Sequence, residues 1–512
     1  MTNPYRQNRQ KFLEMHSAKK TEIVIVGSGF SGLGAAIELK RIGIDDFIIL
    51  EKADDLGGTW RDNTYPGLTV DVASTSYSYG FAPKSNWSRL YAPGSEVKEY
   101  ADECAEKFKI RDHIEFSKSV ESASYDEENN LWVTKVSSGE TYTSRYLISA
   151  TGLFGPPKLP NIDGIETFSG HIMHTGAWDH EYDFSSKRVG IIGTGATAIQ
   201  VIPEIVPIVE HLSVFQRTPI WLLPKPDIIF SERIKNLFRV LPFTQKLLRL
   251  VTHFFNEILF GIGFSHNRQF PWLFRWLKKL GISHIRKQVR DPMTQEKLTP
   301  QYDFFCKRPS FSNVYFPVFN EPNVNLVTDP ISHIEGNNIQ TGDGHTITLD
   351  ALICATGFSV FDENIVPSFK TFGLKGTELG SYWSNNRFTS FQGISVPNFP
   401  NYFMIFGPYS AASASWFGMI DTQVRHLSRC LRAAKKRNAN YIEVTQKSLE
   451  TDFNKILKRR RNQLVFHGDC SGSNSYYFDK NGDVPLIRPA TQVGMWFRSH
   501  LVSMRNYNIK VK

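Results

Sequence analysis

The 512-residue chain has five cysteines, Cys104, Cys306, Cys354, Cys430 and Cys470, and none stands in a CxxC or CxxxxC spacing. That spacing indicates neither a zinc site nor a redox dithiol, and five scattered cysteines suit a reducing compartment. No cluster of carboxylates, histidines and cysteines suggests a metal site. The N-terminus, MTNPYRQNRQKFLEMHSAKK, lacks an apolar core, so no secretory signal is expected and residues 1–20 read as a mobile arm. No stretch of about 18 residues reads as apolar enough to span a bilayer. The nearest, LLRLVTHFFNEILFGIGF at 247–264, is broken by Arg249, His253, Asn256 and Glu257 and reads as an amphipathic helix. No nucleic-acid motif is present, and no nucleic-acid partner is expected.

What the chain does have is an ordinary globular composition, 41% hydrophobic and 21% charged, at a length that calls for two or three domains. Its excess of 59 basic over 50 acidic residues, a net +9, favours anionic ligands such as phosphates. Two stretches repeat one plan of strand, glycine turn, helix and strand. The first, 21–52, carries Gly27, Gly29 and Gly32 in a GxGxxG spacing, with Phe30 and Ser31 inside it, and ends at Glu51 and Lys52. The second, 187–217, carries Gly193, Thr194, Gly195, Ala196 and Thr197, with Ala198 as the third small residue, and ends at Arg217 and Thr218. From first glycine to terminal charge the offset is 24 positions in both (27 to 51, 193 to 217). One such turn is weak evidence; two with a charge at one fixed offset are strong.

The opposite charges have a physical reading. Glycines let the backbone approach a pyrophosphate seated at a helix N-terminus, and the adenosine ribose then reaches the end of the second strand. Glu51 suits a free ribose diol. Arg217 suits a 2′-phosphate, which a glutamate would repel. The chain is therefore expected to hold FAD and NADPH together. The fold class follows: α/β, with two Rossmann-like dinucleotide-binding domains.

Two apolar strands ending in Ala-Thr-Gly, YLISATG from 146 and ALICATG from 351, bracket the second unit. They read as crossings between domains. The expected division is an FAD-binding domain of 21–155 and 380–512, an NADP-binding domain of 156–379, and a helical insertion at about 225–300 inside the latter.

Three segments carry a family resemblance. FSGHIMHTGAWD (168–179) matches FxGxxxHxxxW(P/D) at Phe168, Gly170, His174, Trp178 and Asp179; GGTWRDNTYPGLTVDVASTSYSYGF (57–81) and DFFCKRPSFSNVYFPVFN (303–320) follow suit. Over about residues 20–500 the chain resembles the FAD- and NADPH-dependent Baeyer–Villiger monooxygenases. The resemblance implies an oxidoreductase that puts one atom of O2 beside a ketone carbonyl through a C4a-peroxyflavin, giving an ester or lactone. It implies Arg308 as the active-site cation, Asp71 beside it near the flavin ring, and Gly58, Thr59, Trp60 and Tyr77 as flavin contacts. Lys307, Thr218 and Gln200 become NADP contacts, and His174 and Trp178 belong to a linker that couples NADP binding to domain movement.

The chain also departs from the family. Near the C-terminus, VFHGDCSGSNSYYFDKNGDVP (465–485) lacks the tryptophan of cyclic-ketone members and offers Phe466, Tyr476, Tyr477 and Phe478, closer to branches acting on aryl, linear or bulky ketones. The insertion combines large apolar residues with Lys246, Arg249, Lys278 and Lys279. Its apolar face is expected to pack on the enzyme and line a substrate entrance; the competing reading lays it loosely on an anionic membrane. The enzyme is expected in the cytoplasm, membrane-peripheral on that second reading, and its oligomeric state stays open. Oxygenation of nitrogen or sulfur by the same flavin chemistry is the alternative activity. A flavin disulfide reductase lacks its dithiol here, and a non-catalytic nucleotide-binding protein has no use for Glu51, Asp71, Arg217 and Arg308 together.

Overall fold

The apolar run before the first glycine turn forms strand β1 (Lys19–Val26), with Ile23, Val24 and Ile25 wholly buried. The structure, a computed structural model, describes residues 18–360, 367–412, 415–475 and 477–512. The expected arm therefore lies, up to residue 17, outside the described residues, as does Tyr476. Helix α1 (Phe30–Arg41) leaves the turn, and β2 (Phe47–Leu50) comes back parallel to β1 with Leu50 opposite Val26. These strands are covered on both faces, so they are continuous Val/Ile/Leu runs and do not alternate. Strands β3 (Ile114–Glu115), β4 (Val120–Asp126), β5 (Leu131–Val136) and β6 (Thr141–Ser149) complete the order β4-β5-β6-β1-β2-β3.

A second, fully parallel sheet follows. It contains β7 (His171–His174), β8 (Arg188–Ile192), then helix α2 (Ala198–Ile205) and β9 (His211–Phe215). Before its next strand the chain makes the helical insertion: α3 (Glu232–Val240), α4 (Pro242–Asn256), a π-helical continuation Glu257–Phe264, and α5 (Pro271–Gln288). Strands β10 (Val324–Val327) and β11 (Ala351–Cys354) then close the order β10-β9-β8-β11-β7. Ahead of residue 380, β12 (Lys370–Phe372) already pairs with β4 of the first sheet. β13 (Tyr402–Met404) pairs with β6, helix α6 (Trp416–Lys436) packs on α1, and α7 (Gln492–Leu501) lies against α6.

Two readings of the insertion are corrected. The helix begins at Pro242, five residues before the apolar window at 247, and Pro242–Phe264 is long and apolar enough by length and composition to cross a membrane. Its apolar face is also not packed inward. Leu247 is 57% exposed, Leu250 66% and Phe254 63%, while the polar Gln245 is buried.

Candidate active site between two nucleotide turns

The two Ala-Thr-Gly strand ends seat the two glycine turns. Gly27 (φ +100°) lies so close to Ala150 that a Cβ would come within 2.8 Å of its carbonyl oxygen, and at Gly193 (φ +115°) the oxygen of Ala355 would be 2.5 Å away. In both places the alanine N–H donates to the residue just before the turn, Val26 and Ile192, at 2.9 Å. A Cβ on Gly32 would meet the Gly27 carbonyl oxygen at 1.9 Å, so only glycine lets α1 rise this close to the turn. Gly29 faces a glycine from outside the turn: a Cβ on Gly58 would stand 3.2 Å from the Gly29 Cα. Two bare backbones bound this space, a fit for a pyrophosphate. At Gly195 a Cβ would meet nothing within 4 Å, leaving the second turn open.

Glu51 is buried at the end of β2. It accepts from the Ser28 N–H at 2.8 Å and hydroxyl at 2.7 Å, and from the Ala53 N–H and Arg61 Nη1 at 3.1 Å. Burial pushes its pKa up, but those hydrogen bonds and the Arg61 charge outweigh it and hold the carboxyl below its ordinary range. The sequence reading missed Arg61, because nothing in its spacing marks it. Lys52 and Thr59 are exposed nearby, and Ser31 is buried. The Phe30 ring packs on Phe417 at 4.6 Å, so it faces the core.

At the second turn, exposed Arg217 lies two residues beyond β9, and half-buried Lys307 lies close enough to feel its charge. Burial, and then Arg217, pull the Lys307 ammonium down to about 8. Two cations gathered this way fit a phosphate group better than they fit an empty surface. Thr218 is tied on both sides: its carbonyl accepts from the Thr194 hydroxyl and its hydroxyl from Asn474 Nδ2, both at 2.8 Å. Gln200, on α2, accepts from the Tyr65 hydroxyl at 3.1 Å and donates to the Thr69 carbonyl at 3.0 Å. It thus joins the second nucleotide unit to the segment that leads to Asp71.

Between the turns, Arg308 Nη2 donates to Asp71 Oδ2 at 2.7 Å. Arg308 also lines a cleft with Leu153, Phe154, Phe260, Phe264, Phe305, Trp416, Met419, Tyr477 and Leu486. Among the described residues it is the one charged side chain on this lining. Trp60 and Tyr77 meet edge to face at 5.5 Å beside it, and burial, aided by the Asp71 charge, raises the Tyr77 phenol. Of the apolar lining, sequence reading had singled out only Tyr477, since residues scattered over 153–487 share no local period.

The cysteine reading is corrected here. Cys306, two residues from Arg308, is disulfide-bonded to Cys470 across 164 positions, while Cys104, Cys354 and Cys430 are free and buried. Pairing this distant leaves no spacing signal. The Asp303 N–H donates to the Asp469 carbonyl at 2.8 Å, and the Asp469 N–H to Asp303 Oδ2 at 3.0 Å. With Asn474 on Thr218 and Tyr477 in the cleft, residues 469–475 and Tyr477 reach both the nucleotide turn and the apolar site.

The fingerprint residues flank β7 at the edge of the second sheet: Phe168 and Gly170 precede it, His174 ends it, and Trp178 and Asp179 follow. Phe168 is buried, and a Cβ on Gly170 would meet the Asp350 oxygen at 2.5 Å. His174 Nδ1 accepts from the Gly176 N–H at 2.9 Å, which puts the ring proton on Nε2. Burial holds this imidazole neutral by lowering its pKa, partly offset by the Gly357 backbone. Trp178 stacks on Phe184 at 5.6 Å, and Asp179 approaches His171 Nε2 at 3.2 Å.

Two dinucleotide units facing one cleft define the two-nucleotide flavoprotein oxidoreductases, and the family described as pyridine nucleotide-disulphide oxidoreductase matches residues 24–251. A Baeyer–Villiger monooxygenase of Pseudomonas aeruginosa is 36% identical over 464 residues, 90% of this chain and 86% of its own length. A cyclohexanone 1,2-monooxygenase of Acinetobacter is 31% identical, covering 84% of this chain and 85% of its own. An oxidised steroid monooxygenase bound to NADP superposes with a TM-score of 0.85 at 26% identity, over 96% of this chain and all of that one. The chain belongs to the Baeyer–Villiger monooxygenases.

Proposed function

We infer that the chain is an NADPH-dependent flavin monooxygenase that uses O2 to convert a ketone into an ester or lactone. The observation that carries this reading is one guanidinium, Arg308, held by Asp71 in an apolar cleft between two nucleotide turns. The Gly27–Gly32 turn and Gly58 would hold FAD, with Glu51 on its ribose and Thr59, Trp60 and Tyr77 near its ring. The Gly193–Ala198 turn would hold NADPH, with Arg217 and Lys307 on the 2′-phosphate and Thr218 beside them. Bound together, the two cofactors supply the electrons and the activated oxygen.

The chain's own groups do the rest. Arg308 stays charged in any environment, so it stabilises negative charge developing on the reacting oxygens, in a site whose apolar walls exclude water. Asp71 fixes the direction of that charge. His174, at the end of the edge strand, and Trp178, just beyond it, couple nucleotide binding to movement of the linker. The sheets support an FAD-binding domain of 21–155 that resumes near Lys370, with the NADP-binding domain and its insertion between.

The aromatic walls suit an aryl or bulky ketone. We place the enzyme in the cytoplasm, with the 225–300 insertion against a membrane surface. The test is a panel of aryl, linear, bulky and cyclic ketones, plus a thioether, given to FAD-loaded enzyme with NADPH and analysed by mass. Esters from the larger ketones are expected. Sulfoxide without any ester would replace this reading with heteroatom oxygenation.

A further inference from the structure

Helix α4 is inside out. Its polar side chains grip the protein: Arg249 Nη1 donates to the carbonyls of Thr75 and Ser78 at 3.0 and 2.9 Å, Gln245 donates to the Lys84 carbonyl, and Thr252 meets Ser76. His253 is buried enough that its pKa falls to about 4. The apolar residues of the same helix face outward: Phe243 is 63% exposed, Leu250 66%, Phe254 63% and Phe255 59%. Neighbouring elements extend this face, with Trp272 59% and Trp276 55% exposed on α5 and Trp496 43% and Phe497 53% on α7. Among the described residues, every exposed tryptophan lies here. A patch this large and aromatic on one side of a molecule marks an interaction surface.

Its charge selects the occupant. Residues 231–280 contain nine basic side chains and two acidic ones, a net +7 of the chain's +9. Both acids are used internally: Glu232 pairs with Lys235 at 2.8 Å, and Glu257 accepts from the N–H groups of Gln492 and Val493. Lys246, Arg268, Arg275 and Lys279 remain exposed around the aromatics. A second copy would bring the same positive face to a two-fold contact and repel it. An anionic bilayer offers apolar depth and negative charge together, the pair of signals that amphipathic helices read.

We propose that α4, α5 and α7 form a docking face that lies on an anionic lipid bilayer and delivers membrane-dissolved ketones to the cleft. The helix lies on the membrane and does not cross it, because Gln245, Arg249 and Thr252 bind it to the protein body along its length. The delivery route rests on the reading of the cleft as the ketone site. It follows from continuity: α4 runs straight into the π-helical turn, whose Phe260 and Phe264 are walls of that cleft.

The test floats FAD-loaded full-length enzyme on vesicles of phosphatidylcholine, alone or with about a third phosphatidylglycerol. The enzyme should rise with the anionic vesicles at low salt, and much less with neutral ones. One basic residue near such a surface is worth about fivefold in binding, so Lys246→Glu with Lys279→Glu should bind at least about 25-fold more weakly. Trp272→Ser with Trp496→Ser should remove the binding that survives high salt. Both variants should keep flavin absorbance and NADPH oxidation. Wild-type enzyme that stays with the buffer at low salt overturns the proposal, as does a dimer that the tryptophan variant dissociates while vesicles are ignored. Ester formation from a water-soluble ketone, without vesicles, reports separately on the cleft.

Discussion

Arg308 and Asp71 are 237 positions apart and share one hydrogen bond of 2.7 Å, formed where the two nucleotide units meet. Neither side chain is more than half exposed, so the pair works where water screens poorly. A guanidinium held this way needs little reorganisation when negative charge appears beside it.

Replacing Arg308 with alanine should therefore remove about 3–4 kcal/mol of barrier stabilisation, a 100- to 1000-fold loss of ester. NADPH oxidation should continue, because the nucleotide site is intact. Asp71→Asn keeps a hydrogen-bond acceptor and should fall between the two. Ester yield by mass, measured against NADPH consumed, checks this; equal yields in the arginine variant and wild type would remove Arg308 from the chemistry.

Lys307 makes nucleotide affinity depend on pH. Its folded pKa of about 8 lies below the ordinary 10.5, so in the free enzyme it loses its charge as pH rises through 8. A bound 2′-phosphate favours the charged form, so binding takes up a proton above that pH. The NADPH dissociation constant should rise toward tenfold per unit above pH 8 and be flatter below it, on titration of flavin fluorescence. Lys307→Gln should flatten the curve. In the fold itself the sign is opposite: the buried ammonium is an unfavourable charge below pH 8, and that strain fades as pH approaches 10.5.

Reducing the Cys306–Cys470 bridge should free the loop that carries Asn474 and Tyr477. Closing a chain segment of this length is worth about 2–5 kcal/mol, so dithiothreitol should lower the melting temperature by several degrees. In a Cys306→Ser, Cys470→Ser variant the reductant should have no effect. The Michaelis constant for NADPH should rise in both cases, since Asn474 holds Thr218.

Much of the nucleotide-binding half was legible because its signals are local. Glycine spacing, strand runs and the charges of Glu51 and Arg217 occupy two short windows, and each window folds on itself. Arg308 came from resemblance, and its hydrogen bond to Asp71 could not be read from either neighbourhood. Cys306 and Cys470 were misread for the same reason. Helix α4 was misread differently: its apolar and polar stripes are plain in the sequence, but a periodic pattern does not say which stripe meets the protein. The expectation of apolar-in is a rule about bodies surrounded by water.

The first sheet is finished late. Strand β6 ends at Ser149, and its partner β13 begins at Tyr402. A ribosome adding 5–20 residues per second needs roughly 12–50 s to make the chain between them. For that interval the whole second sheet emerges, while Leu147 and Ile148 wait on an open edge for the strand that will cover it. A message truncated before codon 402 would carry both glycine turns and yet leave the end of β6 without its last partner, a template for pairing with another chain.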